Sequence, residues 1–233
     1  MEFFFAPVDG TPESIELPPE EHVHAHKSLR LREGDEAGIV NGNGTMYRCI
    51  VALAARDRTV CTVLETVPEY NEGPRRITLA VAVLKSEARF DWIVEKATEL
   101  GVARIIPMTT VRTVRSAVRS DRLHAIARAA MKQCSRSRVP DITAVMSLSS
   151  ALDLVSGSAV DIFHEKAQRD DLSMEAASTG DSGEICLFIG PEGGFSEDEI
   201  EYARSRGARL RSLGRRRLRT ETAAIAALAR ISV

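Results

Sequence analysis

The stretch CLFIGPEGGFSEDEI, residues 186–200, combines an apolar run with Gly190, Gly193 and Gly194, and sets Pro191 and Glu192 among those glycines. Glycine turns that hold phosphate use backbone amides together with a Lys and a Ser or Thr. GPEGGF contains none of those side chains. Pro191 has no amide hydrogen to give, and Glu192 would repel a phosphate. A dinucleotide fingerprint would run straight into a helix, whereas here Ser196 and Glu199 form a capping box that starts the helix later. The turn therefore suits a ligand that is uncharged or cationic where it lies against the backbone. A plain glycine turn joining strand to helix is the alternative.

A second polar cluster follows in SLGRRRLRTETAAIAALAR, residues 212–230. Gly214 precedes Arg215, Arg216, Arg217 and Arg219, and Glu221 and Thr222 stand beside them. Thr220 or Thr222 can cap the last helix, whose alanine-rich body has high helix propensity and lets neighbours approach closely. Such a helix more often packs against another than performs chemistry. His164-Glu165 makes a third polar pair. His22, His24 and His26 alternate along an expected strand, but no acid or Cys completes a metal set, so an exposed or partner-facing surface is expected there and no metal site.

These clusters need strand ends to carry them. From Ile77 onward apolar runs alternate with helical patterns: strand ITLAVAVLK, helix 87–100, strand ARIIPMTT, helix 121–134, strand 159–163, strand 185–189, helix 197–206, strand 209–213 and helix 221–231. That alternation predicts an α/β domain with a largely parallel sheet. Ligands collect beyond the carboxyl ends of such strands, so residues 164–165, 190–194 and 214–219 are expected to share one edge.

Residues 1–70 follow another grammar. Phe3 to Phe5 predict a first strand, and Gly42-Asn43-Gly44 between apolar runs predicts a hairpin. A further strand follows a turn at Arg56-Asp57, and short strands so closely spaced suggest a small all-β barrel. PEYNEGPRR, residues 68–76, reads as the linker. The division expected is 1–70 for the barrel and 71–233 for the α/β domain.

The chain of 233 residues is 44% hydrophobic and 27% charged, with a net charge of −2. No apolar run approaches the roughly 20 residues of a membrane helix, and the N-terminus has no secretory character. Four separated cysteines, without CxxC spacing, predict a reduced, cytoplasmic protein. The near-neutral average conceals an asymmetry. Residues 1–70 hold more acids than bases, whereas Arg112 to Arg138 and Arg204 to Arg219 are strongly basic, the first opposed in sequence only by Asp121. Solvated helix faces would explain either run alone; two runs on one domain predict a polyanion surface, most simply nucleic acid.

FIGPEGGFSEDEI and LGRRRLRTETAAIAAL together resemble the paired cofactor motifs of the RsmE family, 16S ribosomal RNA uridine-N3 methyltransferases of the SPOUT class. KSEARFDWIVEKATELGVARIIPMTTVRTV (85–114), QCSRSRVPDI (133–142) and HAHKSLRLREGDEAGIVNGNG (24–44) resemble further family segments in family order, the last belonging to its PUA-like barrel. The chain departs from the pattern at Glu2, just before the first aromatics, where members commonly carry a basic residue.

The resemblance implies S-adenosylmethionine as cofactor, a C-terminal trefoil knot, a homodimer and the small ribosomal subunit as partner. Carried over by motif, the cofactor-binding residues would be His164, Glu165, Ile189, Gly190, Pro191, Glu192, Gly193, Gly194, Leu213, Gly214, Leu218, Arg219 and Thr222. The reaction implied is methylation of a uridine N3, at U1498 by family resemblance. That nitrogen carries a proton, so alignment and a base or cation are required. Arg219 is expected to hold a phosphate or a uracil oxygen, and Glu221, then Glu192, to accept or orient the proton; a purely structural ion pair among them is the alternative. Arg112, Arg115, Arg136, Arg138, Arg215 and Arg216 are expected to hold RNA phosphates. A non-catalytic RNA-binding or ribosome-assembly protein, or a methyltransferase of the same fold acting at another RNA site, are the competing readings.

Overall fold

The computed structural model describes residues 1–165, 167 and 183–232. It divides into two compact units, Met1–Glu72 with Arg128–Val139, and Gly73–Ala127 with Pro140–Val233.

The first unit is built on a five-stranded sheet in the order β1 (Glu2–Phe5), β3 (Glu36–Val40), β4 (Thr45–Ala54), β5 (Thr59–Pro68), β2 (Ser14–Glu16). The hairpin at 42–44 forms as its Asn-Gly chemistry demands: β3 and β4 pair antiparallel, and Gly42 and Gly44 take φ of 81° and 101°, a region that disfavours side chains. Two register shifts in the β4–β5 ladder, at Arg48/Cys49 and Val51/Leu53, mark bulges that curve the long strands. Phe4, Ile39, Tyr47, Cys49 and Cys61 fill the core beneath them.

The three histidines are not on a strand. Pro19 sits at the start of α1 (Pro19–Val23), where its missing amide costs nothing, and the chain continues as a π-helical segment, His24–Leu29. Helical spacing stacks His22 on His26 at 5.7 Å between ring centroids. His22 is buried, its ring nitrogens bonded to Thr59 Oγ1 at 2.9 Å and Arg56 O at 3.2 Å. It therefore does not belong to the exposed surface expected from the sequence. Among the described residues no group of three or more His, Cys, Asp or Glu is placed to hold a metal ion.

Residues 69–72 are bound more firmly than a linker. Glu72 receives hydrogen bonds from Arg136 Nη2 at 2.6 Å, Ser137 N at 3.0 Å and Arg138 N at 2.9 Å. Glu69 pairs with Arg138, which draws the Glu69 carboxyl below its usual range.

The second unit carries a sheet in the order β12 (Arg209–Arg211), β10 (Ala159–Phe163), β11 (Glu184–Ile189), β6 (Arg76–Ala82), β7 (Arg104–Thr109), β8 (Asp141–Ile142), with β9 (Met146–Ser147) also on β7. Every pairing is parallel. Ile77 to Ala82 are buried throughout, as a strand covered on both faces must be. The helices are α2 (Glu87–Glu99), α3 (Ser120–Gln133, of which the residues from Arg128 on belong to the first unit), α4 (Leu148–Leu154), α5 (Glu197–Ser205) and α6 (Thr220–Ser232). Strands β8 and β9 and helix α4, started by Ser147 accepting from Ser150 N, are additional to the elements expected from periodicity; two-residue strands are too short to show a period. No helix among the described residues is long and apolar enough to cross a membrane.

Candidate active site

Strand register decides where the three polar loops meet. On β10, Phe163 lies opposite Ile189 of β11 and Arg211 of β12. All three strands end there in parallel, so residues 164–165, 190–194 and 212–219 leave from one edge. They enclose a crevice of about 680 Å³, counting space open to solvent.

The first wall is the turn after β11. Gly194 N donates to Pro191 O at 2.8 Å, and Gly194 takes φ of 69°. Gly190 leaves little room for a side chain: a Cβ there would lie 3.1 Å from the ring of the buried Phe195. The capping box then forms, with Ser196 Oγ accepting from Glu199 N at 3.2 Å and Glu199 Oε2 accepting from Ser196 N at 2.8 Å.

The second wall begins where β12 stops at Arg211, two residues short of the expected strand. Gly214, at φ of 111°, turns the chain while its amide donates to Ser212 Oγ at 3.2 Å. Helix α6 opens at Thr220, with Ala223 N donating to Arg219 O at 2.8 Å. Between the walls, His164 N donates to Arg211 O at 3.0 Å. Glu165 pairs with Arg217 at 3.4 Å, and Arg217 also reaches Glu192 O at 3.5 Å.

Of the expected cofactor residues, His164, Glu165, Ile189, Gly190, Pro191, Glu192, Gly194, Leu213, Gly214 and Leu218 line the crevice. Gly193, Arg219 and Thr222 do not. Arg216, Arg217 and Thr220, within the expected loop 213–222, line it as well, and so do Phe163, Phe195, Ser212 and Ala223, which lie outside the expected loops. Each adjoins a motif residue, but only the fold shows which neighbour turns inward.

The three catalytic candidates part company. Glu192 lines the crevice and is exposed. Arg219 is exposed beside lining residues Leu218 and Thr220, without an ion pair among the described residues. Glu221 is directed to Arg89 of α2, 3.6 Å away, and its Oε2 is buried without a hydrogen-bond partner among the described residues.

The arginines expected to face RNA are sorted just as sharply. Arg136 must be withdrawn from that set: it is 3% exposed and clasped by Glu72. Arg138 is engaged with Glu69, and Arg115 with Glu87. The Glu87 carboxyl is held below its usual range, chiefly by Arg115 and then by Arg119. Arg112 donates from Nη1 to Gly193 O at 2.7 Å and Phe195 O at 3.3 Å. Arg215 and Arg216 are exposed and unpaired among the described residues. The run 112–138, opposed in sequence by Asp121 alone, therefore meets acids from distant segments: Asp91 on Arg122 at 2.7 Å and Glu21 on Lys132 at 2.5 Å complete the series. Asp161 does the same for Arg209 and Arg211 in the second run.

Cysteine supplies no site chemistry. Cys49, Cys61 and Cys186 are buried free thiols, and burial pushes Cys186 up to about 12.

Comparison with known proteins places this geometry in context. Residues 71–232 match an RNA methyltransferase domain family, and residues 19–64 an RNA methyltransferase PUA domain. Ribosomal RNA small subunit methyltransferase E of Mycobacterium bovis is 32% identical over 92% of this chain and 84% of its own length. The protein of the same name from Bacillus subtilis is 29% identical, covering 97% of this chain and 94% of its own. A crystal structure of ribosomal RNA small subunit methyltransferase E from Neisseria gonorrhoeae bound to S-adenosyl methionine superposes with a TM-score of 0.86. It shares 29% identity and covers 99% of this chain and 96% of that one.

Proposed function

Since the chain belongs to the RNA methyltransferase family that includes ribosomal RNA small subunit methyltransferase E, we propose that it methylates N3 of a uridine in small-subunit ribosomal RNA, at the position U1498 implied by family resemblance. S-adenosylmethionine is the cofactor of this reading and supplies, when bound, a methyl group made electrophilic by its sulfonium. The observation that carries the proposal is the convergence of three loops on one crevice whose chemistry suits that molecule. Ile189, Leu213 and Leu218 supply apolar wall for an adenine, and Glu192 favours positive over phosphate charge, while Glu165 and Arg217 offset each other.

The residues divide the remaining work. Gly190–Gly194 and Leu213–Leu218 hold the cofactor, and His164-Glu165 closes the floor between them. Uridine N3 must lose its proton as it attacks; of the two carboxylates lining the crevice, Glu165 is paired with Arg217, and Glu192 is the one left to accept it. Arg219, exposed between the lining residues Leu218 and Thr220, stabilises the negative charge on a uracil oxygen or holds the adjoining phosphate. Glu221, turned to Arg89, orients rather than accepts. N3 lies on the Watson–Crick edge, so the base must be presented unpaired. In this reading Arg215 and Arg216, both exposed, bind its flanking phosphates, and the PUA-like unit adds RNA contacts of its own.

The same reading includes a C-terminal trefoil knot, a cytoplasmic protein and a homodimer. Partly exposed Ile225 and Ala226 on α6 and Trp92, 41% exposed on α2, supply apolar surface for the second copy. Sedimentation of the purified protein tests the dimer.

Calorimetry with S-adenosylmethionine, followed by mass mapping of modified uridines in ribosomal RNA from cells lacking the protein and from cells with it restored, tests the activity. Restoration of one N3-methyluridine is expected. Cofactor binding with a methyl group elsewhere would favour a different RNA site; neither binding nor product would leave an RNA-binding protein.

A further inference from the structure

The segment after β7 was expected from its charge to face RNA, but its contacts run to the cofactor turn. Arg112 Nη1 reaches two carbonyls, Gly193 O at 2.7 Å and Phe195 O at 3.3 Å. Those carbonyls flank Gly194, which lines the crevice in a left-handed conformation. The stem of Arg112 also covers Gly193 so closely that a Cβ there would lie 3.3 Å from its Cβ and Cδ. A second tie lies beside it. Glu199 caps α5 through Oε2, and its Oε1 accepts the amide of Val111 at 2.8 Å. One carboxylate thus joins the end of the glycine turn to the residue before Arg112. The segment is itself braced, with Thr110 N donating to Thr113 Oγ1 at 2.9 Å and Thr113 N to Thr110 O at 3.1 Å.

We propose that Arg112 is a positioning residue for the cofactor turn, acting with Glu199, and that it is not an RNA-contacting arginine. The physical reason lies in the turn's composition. Two glycines leave Gly193-Gly194 many backbone states, and Pro191 O accepting from Gly194 N restrains only one end. A guanidinium can donate along fixed directions to two carbonyls at once, which confines the peptide planes on either side of Gly194. Without it the turn samples states that do not fit the ligand, and apparent affinity falls by the fraction of time spent in them. The inference rests on the reading of this crevice as the S-adenosylmethionine site.

The test compares wild type, R112A, R112K and E199Q by calorimetry with S-adenosylmethionine in the absence of RNA, and by RNA binding across a salt series. Loss of a charge-assisted pair of hydrogen bonds predicts roughly tenfold weaker cofactor binding for R112A. R112K, whose freely rotating ammonium replaces a planar nitrogen with two N–H directions fixed by the guanidinium, should recover only part of it. E199Q can accept one of the two amides and should weaken cofactor binding as well. RNA affinity and its salt slope should stay at wild-type values in R112A. In a double-mutant cycle, R112A and G193A should be less than additive, because both disturb one contact. Wild-type cofactor affinity in R112A would overturn the proposal, and so would weaker RNA binding with a salt slope reduced by about one. If wild type itself bound no S-adenosylmethionine, the assignment of the crevice would fall instead.

Discussion

Arg136 and Glu72 form a buried ion pair, Nη2 to Oε2 at 2.6 Å, with side-chain exposures of 4% and 7%. The same carboxylate takes the amides of Ser137 and Arg138. Satisfied on all sides, the pair holds a segment rich in arginine against the end of the first unit. Removing one partner strands the other in low dielectric. R136A should therefore cost about 3–5 kcal/mol in urea unfolding. R138A, which removes an exposed pair, should cost about 1 kcal/mol or less. Equal costs for the two would contradict the burial argument.

Gly190 tests the shape of the crevice. A methyl group there meets the Phe195 ring at 3.1 Å and Gly194 C at 3.3 Å. Phe195 belongs to the hydrophobic core of the unit and cannot retreat without repacking. G190A should lose about 1–3 kcal/mol of stability and weaken S-adenosylmethionine binding. Unchanged affinity in calorimetry would show that the turn does not form the ligand surface.

Glu192 tests the proton's destination. E192Q keeps the shape but accepts no proton, so single-turnover methyl transfer at saturating S-adenosylmethionine should slow by roughly 10²–10⁴-fold. E221Q should slow it less, because Glu221 faces Arg89. The reverse order would move the role to Glu221.

Alkaline pH should destabilise the fold. Burial pushes Cys49 to about 12, with Cys61 adding to the effect, Cys61 itself to about 11 and Cys186 to about 12, against an ordinary 9.0. Above pH 9 the unfolded chain releases these protons while the folded chain keeps them. Stability is thus fully present below the unfolded value and falls as pH rises towards 11–12. Unfolding free energy should drop between pH 8.5 and 10.5, and less steeply in C186A. A parallel labelling experiment at pH 8 should modify Cys134, which is partly exposed, before the other three.

The charge pattern shows where reading along the chain stops. Arg115, Arg119, Arg122 and Lys132 look unopposed in sequence because Glu87, Asp91 and Glu21 are remote along the chain. Charge pairing acts through space over a few ångströms, and sequence distance carries no information about it. The histidines illustrate a different failure. A spacing of two or four residues suits a strand face and, for His22 and His26, a helix face too; Pro19 was the local cue that favoured the helix.

Local chemistry, by itself, determined much. The hairpin at 42–44 needs residues that tolerate positive φ, the buried run of β6 needs two covered faces, and the capping box of α5 is written in Ser196 and Glu199. All three arise from neighbours in the chain, so the sequence alone was enough. The glycine turn also declared what it would not bind. Tertiary structure alone decided which side chains line the crevice, which carboxylate is turned away to Arg89, and which arginines remain exposed. Those outcomes depend on the register of β10, β11 and β12 and on acids brought in from distant segments, and non-local packing fixes both only when the chain has closed on itself.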